Sequence, residues 1–206
     1  PDMEIHYTTD GSEPTATSPL YEKIVPVKEA LTLKGATFAH GRQMGKTLIL
    51  PVRWNLATAK PVLGTNPTEK LLTNGIRGSL KYSDFEWCSW ADNDSVSFTI
   101  DLLKPEMLNT LTLGCITNNG MAIHKPASVR VEVSDDNSKF REAVVQSFTS
   151  EEIFREGNFI ENLSLKLGGT QARYVRVTAK GPGVCPASHV RPGQTSRIFF
   201  DEVMLE

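Results

Sequence analysis

Short alternating runs, each closed off by turn-forming residues, dominate this chain and leave little room for anything but β-structure. Residues 5–8, 31–34 and 47–52 form one group of such runs. Residues 96–100, 110–113, 129–133, 163–167 and 174–178 form a second. They are rich in Val, Ile, Leu, Thr and Phe and are bounded by Gly, Pro, Asn and Asp, the pattern of half-buried strands. Alternation sends one set of side chains to a core and the other to solvent, as an antiparallel sandwich requires. No segment carries sustained helical periodicity, and residues 150–156 allow a single turn at most. The predicted fold class is all-β.

Between the two groups, residues 56–67 hold small side chains and two prolines, which is linker composition. The expected boundary lies near Thr58, giving domains 1–57 and 58–206. A first domain this small buries little surface alone, so it is expected to dock on a neighbour or to lack a strand. The chain opens on Pro1 and enters a strand-like run at once, with no signal-peptide pattern, so it reads as part of a longer protein. A net charge of −2 supplies no field for nucleic acid. No apolar run approaches the ~20 residues that span a bilayer, so membrane insertion is not expected.

Three cysteines are an odd count. Cys115 lies in an apolar run and is expected to be a small core residue. Cys88 and Cys185 sit in loop-like sequence and pair only if the fold brings their Cα atoms within about 7 Å. No CxxC or Cys/His cluster is present along the sequence, which argues against a structural zinc site.

Two stretches carry family resemblances. The motif YTTDGSEPT at residues 7–15, followed by SPLY at 18–21, FAHGR at 38–42 and GKT at 45–47, resembles the small Fn3-like modules attached to chitobiases and other β-N-acetylhexosaminidases. Asp10 and Glu13 there read as turn chemistry rather than as an acid/base pair, because Asp-Gly supplies the positive φ of a tight turn. In the second stretch come LTNG at 72–75, Gly78, Ser79, Tyr82, Trp87, VSFTIDL at 96–102 and KPASVRVEVS at 125–134. Asp136, Phe140, ARYVRV at 172–177 and FFDEV at 199–203 complete the series. This order resembles the discoidin, or factor V/VIII type C, domain, whose bacterial relatives include family 32 carbohydrate-binding modules. The resemblance implies a small Fn3-like β-sandwich followed by a discoidin-type eight-stranded jelly-roll β-sandwich. Together the two modules resemble the tail of a bacterial family 20 glycoside hydrolase, which implies a periplasmic, cell-surface or secreted parent.

The resemblance also directs attention to three loops, 82–94, 117–124 and 181–194, expected to gather at one end of the sandwich. Sugars are held by aromatic faces and a few planar polar groups on loops carried by a rigid scaffold. Candidate glycan contacts are Tyr82, Trp87, Trp90, Asn118, Asn119, Met121, His189 and Arg191. Trp87 matches a family tryptophan that packs beneath the loops. Trp90, with polar neighbours, is the preferred stacking residue. Relatives carry an aromatic in the second loop, where this chain has Met121 or Ile123. They also hold a structural calcium. The corresponding positions here are Leu72, Asn74, Ser79 and Glu202, with Arg77 close by in sequence. No cofactor is required.

The expected function is that of a non-catalytic accessory region whose second domain binds galactose- or N-acetylhexosamine-type glycans weakly. The alternative is a structural tail docked on the catalytic domain of the parent chain. Glycoside hydrolysis needs two carboxylates about 5–10 Å apart across a cleft. Acidic pairs such as Asp92 with Asp94, or Asp135 with Asp136, sit in turn-like stretches instead.

Overall fold

The computed structural model describes residues 3–23, 25–90 and 95–206. Residues 91–94, and with them Asp92, Asp94 and the end of the first loop, lie outside that description. The chain divides into two compact units, 1–54 and 55–206.

Unit 1 contains one antiparallel sheet of β1 (Met3–Thr8), β2 (Leu31–Ala39) and β3 (Arg42–Val52), in that order. One face carries buried His6, Ala36 and Phe38. His6 packs edge-on against Phe38, and its Nδ1 meets the Ser18 carbonyl at 2.6 Å. Prolines 14, 19 and 26 keep much of the segment between β1 and β2 out of the ladder, since they lack the N–H a strand needs. The Asp10-Gly11 turn is present: Asp10 Oδ1 accepts from the Ser12 N–H at 3.0 Å. Glu13 accepts from Lys34 and Thr47. Those bonds pin a turn and form no acid/base pair.

Unit 2 is built on two long strands, β6 (Ser95–Asn118) and β9 (Asn158–Lys180), paired along almost their whole length. Their register breaks between Asp101 and Glu106 and again between Leu108 and Thr110. Leu103 takes φ 70° at this corner. The halves before and after it belong to different layers. One layer runs β8 (Arg141–Ser147), β7 (Ser128–Ser134), the end of β9, the start of β6 and β4 (Val62–Leu63). The other runs from the start of β9 through the end of β6 to β10 (Ile198–Leu205) and β5 (Cys88–Trp90).

Alternation fills the space between the layers. Val129, Val131 and Val133 of β7, Val175, Val177 and Ala179 of β9, and Phe98 and Ile100 of β6 come from one side. Leu111, Leu113, Leu163, Leu165, Phe200 and Val203 come from the other. Each such side chain contributes roughly 1.5–3 kcal/mol on burial. Cys115 is buried among them, and all three cysteines are free.

Residues 56–67 are not a linker. Ala57 and Thr58 are buried, Leu56 and Val62 pack on the core, and the Leu56 N–H donates to the Leu205 carbonyl. Pro61 leads into a two-residue edge strand, a place that tolerates it, and Pro67 lies in the turn beyond. α1 (Ser150–Ile153) is the single turn expected, opened by a capping box between Thr149 and Glu152.

Candidate functional site

Three segments meet at one end of the unit 2 sandwich. The first follows β6. A tight turn at Asn119–Met121 leads to Ala122 in the left-handed region, and Asn118 and Ile123 exchange backbone hydrogen bonds across it. His124 N–H then donates to the Arg197 carbonyl, and Arg197 N–H to that of Ala122. The second is the closed loop 183–196, stitched by Cys185 N–H to Gln194 O and Ser196 N–H to Gly183 O. The third follows α1: Asn119 N–H donates to Gly157 O, and Gly157 N–H to Asn119 Oδ1 at 3.1 Å.

Three rings mark the junction. His124 lies 5.0 Å from both Phe154 and His189, centroid to centroid, in each case edge-on. Beside them is a cavity of about 120 Å³ lined by Asn119, Phe154, Glu156, Pro186, Ser188, His189 and Val190. Glu156 and Ser188 are exposed, whereas Asn119 and His189 are buried. The Arg191 N–H donates to His189 Nδ1 at 3.0 Å, which places the ring proton of neutral His189 on Nε2. That nitrogen meets His124 Nε2 at 3.1 Å. Burial, and then the neighbouring His189, push the pKa of His124 down to about 4, with a small opposing pull from the Ile153 carbonyl. His124 is therefore neutral at physiological pH and accepts the His189 proton. Its Nδ1 is buried without a well-formed hydrogen bond.

The sequence candidates divide among four places. Asn119 and His189 share the cavity. Asn118 acts through its backbone beside them, and Arg191 is exposed on the loop. Tyr82, Trp87 and Met121 join Ile116, Ile123, Ile160 and Phe199 in a second apolar cluster, separate from the main core. Trp87 Nε1–H donates to Ser79 O, and its ring lies so close to Gly78 that a Cβ there would sit 2.3 Å from it. Trp90 is a correction. Its half-buried ring stacks on Phe98 at 6.2 Å, meets Phe200 edge-on and bonds Glu69, so it packs against the main core and does not line the loop-end cavity. Its polar neighbours misled because strand parity, not neighbour polarity, sets the direction: Trp90 pairs with Ile198, whose side chain is in the core.

Sequence reasoning missed Phe154 and Glu156, which come from the segment after α1, and Phe85, which stands 94% exposed. A lone phenylalanine in the polar run Ser-Asp-Phe-Glu was the available signal for Phe85. It also missed the approach of His124, Cys185 and His189, whose ligand atoms all lie within 4.8 Å of one another.

The calcium candidates do not fit a shell of six to eight oxygens. Ser79 Oγ is bonded to Asp84, and Asn74 Oδ1 accepts from the Ile76 N–H. The loop turns the Gly75 N–H, not a carbonyl, toward Glu202 Oε2 at 3.0 Å. The Arg77 guanidinium holds Asp201, the neighbour of Glu202, at 2.7 Å. Leu72 has a fully buried side chain, and the Asn55 side chain as well as the Gly75 N–H acts on the Glu202 carboxyl.

The fold and this loop end define a discoidin-type β-sandwich, and comparison with known families agrees. The F5/8 type C domain model matches residues 57–190, about two thirds of the chain, and the chain belongs to that family. The model of the chitobiase/beta-hexosaminidase C-terminal domain matches residues 1–48. Both are accessory domains, not catalytic ones. No curated protein matches. Similar solved structures include CpGH89CBM32-6 produced by Clostridium perfringens, at 18% identity over 74% of this chain and 98% of that one, with a TM-score of 0.48. A Streptococcus pneumoniae fucose binding module, SpX-3, is 18% identical over 74% and 97%, with a TM-score of 0.45. The lectin domain of lectinolysin, complexed with Lewis B antigen, is 16% identical over 74% and 96%, with a TM-score of 0.49.

Proposed function

We propose that unit 2 is a glycan-binding module and that the chain serves as a non-catalytic accessory region of a glycoside hydrolase acting outside the cytoplasm. The observation that carries the reading is the cavity at the loop end. It offers a partly buried aromatic ring (Phe154) beside a carboxylate (Glu156), a hydroxyl (Ser188) and an amide (Asn119). A sugar presents C–H faces to the first and hydroxyls to the others. At about 120 Å³ the cavity is well below the ~300 Å³ of a typical enclosed ligand pocket, which suits one sugar unit held weakly. A galactose- or N-acetylhexosamine-type unit is the proposed ligand. The match of residues 1–48 to a chitobiase/beta-hexosaminidase C-terminal domain supports a parent of that kind.

Titration of the whole chain with galactose, N-acetylgalactosamine, N-acetylglucosamine and mucin-type oligosaccharides tests this. Binding in the millimolar to sub-millimolar range is expected for at least one sugar. Glu156→Ala and Ser188→Ala replace exposed residues and are expected to weaken it about tenfold each without unfolding the chain. Trp90→Ala is expected to leave the affinity unchanged while lowering stability by about 2–4 kcal/mol in a chemical melt. Flat titrations across the panel, with the chain folded, defeat the proposal.

A second reading, a tail that docks on the parent's catalytic domain, is favoured by one feature of unit 1. A groove of about 410 Å³ is lined by Ile5, Tyr7, Tyr21, Val25, Leu33, Leu48 and Leu50, of which Ile5, Tyr21 and Leu48 are exposed. Apolar patches of this kind mark contact surfaces. Flat sugar titrations leave this reading as the better account.

A further inference from the structure

The ring pair His124 and His189 has a third potential metal ligand close by. Cys185 is buried beside the pair, with its Sγ 3.4 Å from Ser196 Oγ. The three ligand atoms come from two separate loops and lie within 4.8 Å of one another. All three side chains are buried. The two Nε2 atoms are 3.1 Å apart. In a tetrahedral zinc site with Zn–N bonds of 2.0–2.1 Å, adjacent nitrogens are roughly 3.3 Å apart. The spacing therefore serves a shared proton and a shared metal ion almost equally well. His124 Nδ1 is turned toward the Ile153 carbonyl, which leaves Nε2 as the nitrogen aimed at the cluster. Ligating histidines use one ring nitrogen for the metal and orient the ring with the other.

We propose that His124, Cys185 and His189 form a zinc site with two imidazole ligands and one thiolate. Three protein ligands leave a fourth position for water. His189 also lines the loop-end cavity, which gives that position a route to solvent. On binding, zinc replaces the proton held between the two Nε2 atoms. His189 shifts to the tautomer protonated on Nδ1, giving up the Arg191 N–H bond on an exposed loop. Cys185 enters as a thiolate, with the Ser196 hydroxyl placed to donate to it. The balance is one zinc taken up and one proton released, the thiol proton. Zinc draws the sulfur inward, because tetrahedral edges are shorter than the widest separation in the cluster.

The test uses the whole chain freed of metal by chelation. Calorimetric titration with zinc is expected to show one site per chain at micromolar or tighter affinity. Repeating it in buffers of different ionisation heat is expected to show release of about one proton. Cobalt(II) on the unmodified chain is expected to give tetrahedral d–d bands and a thiolate charge-transfer band, a readout that needs no variant to fold. Cys185→Ser should abolish the charge-transfer band, and His189→Asn should weaken zinc about tenfold or more. His40→Asn, an exposed histidine of unit 1, should change nothing. The proposal is overturned by no zinc uptake on the unmodified chain or by an octahedral cobalt spectrum without a charge-transfer band. Zinc affinity that survives both ligand substitutions overturns it equally. None of these outcomes depends on whether the chain binds sugar.

Discussion

Replacing Arg77 with methionine is expected to destabilise unit 2 by about 3–5 kcal/mol, the cost of stranding one partner of a buried ion pair. The stranded partner is Asp201, whose side chain is fully buried. Arg77 Nε–H donates to Asp201 Oδ2 at 2.7 Å, and its Nη2 donates to Asn162 Oδ1 at 2.8 Å. The Gly78 N–H donates to the same Asp201 oxygen, and the Glu202 N–H to the other. The site leaves no room for rearrangement. A Cβ at Gly114 would lie 1.9 Å from Asp201 Oδ1 and 2.5 Å from Arg77 Nη2. This cluster ties the loop 75–79 to β10 and β9, so its loss is felt by the loop that carries Trp87. A urea melt checks the prediction, through a lower midpoint at unchanged slope. The double variant Arg77→Met with Asp201→Asn is expected to recover part of the loss, because no unpaired charge is then left buried. A single variant within about 0.5 kcal/mol of the unmodified chain would show that the pair adds little.

Glu202 is expected to make the fold less stable as pH rises. Its carboxyl is fully buried, and burial pushes its pKa up to about 9. The Gly75 N–H opposes this, neighbouring Asp201 adds to it, and Arg77 and Asn55 oppose it. In the unfolded chain the group titrates near its ordinary value, about 4.3. Between those values the native state holds one proton more than the unfolded state, so unfolding free energy falls with pH, by at most about 1.4 kcal/mol per unit. The stabilising proton is fully held below the unfolded pKa and lost as pH passes the folded one.

His124 pulls the other way, but only from its ordinary pKa of 6.5 down to about 4, and the buried Cys88 and Cys115 thiols add to the fall only as pH nears their ordinary value of 9, so the range from pH 7 to 8 isolates Glu202. Melting curves across that range are expected to show a falling midpoint, and Glu202→Gln to flatten it. At pH 9 the variant should melt about 5 °C higher, for a difference of order 2 kcal/mol. Since the residues around Glu202 do not offer a calcium shell, millimolar calcium should leave the slope in place. A slope that calcium removes would mean that the carboxylate is ionised against a cation.

Much of the sandwich is legible in the chain because strands obey a period of two. The runs around Val131, Leu165 and Val177 each place their alternate residues in the core. The Asp10-Gly11 turn and the turn at 150–153 are equally local, fixed by a side chain bonding its own backbone neighbours. The motif order that resembles a discoidin domain reflects the same positions, and the family match bears it out.

The site is less legible, for a physical reason. Asn119 and His189 were expected on loops because loops carry polar residues, and they line the cavity, but the same rule pointed to Trp90, whose direction depends on its pairing with Ile198. Phe154 and Glu156 follow a helical turn that has no glycan signature of its own.

By itself the sequence determined the all-β class, the core faces of the strands and the turn chemistry, since each depends on residues a few positions apart. Only the tertiary structure decided three further features: that β6 and β9 cross from one layer to the other, that residues 56–67 are packed rather than free, and that His124, Cys185 and His189 meet. Those outcomes depend on contacts between residues far apart in the chain, where local spacing carries no information about distance.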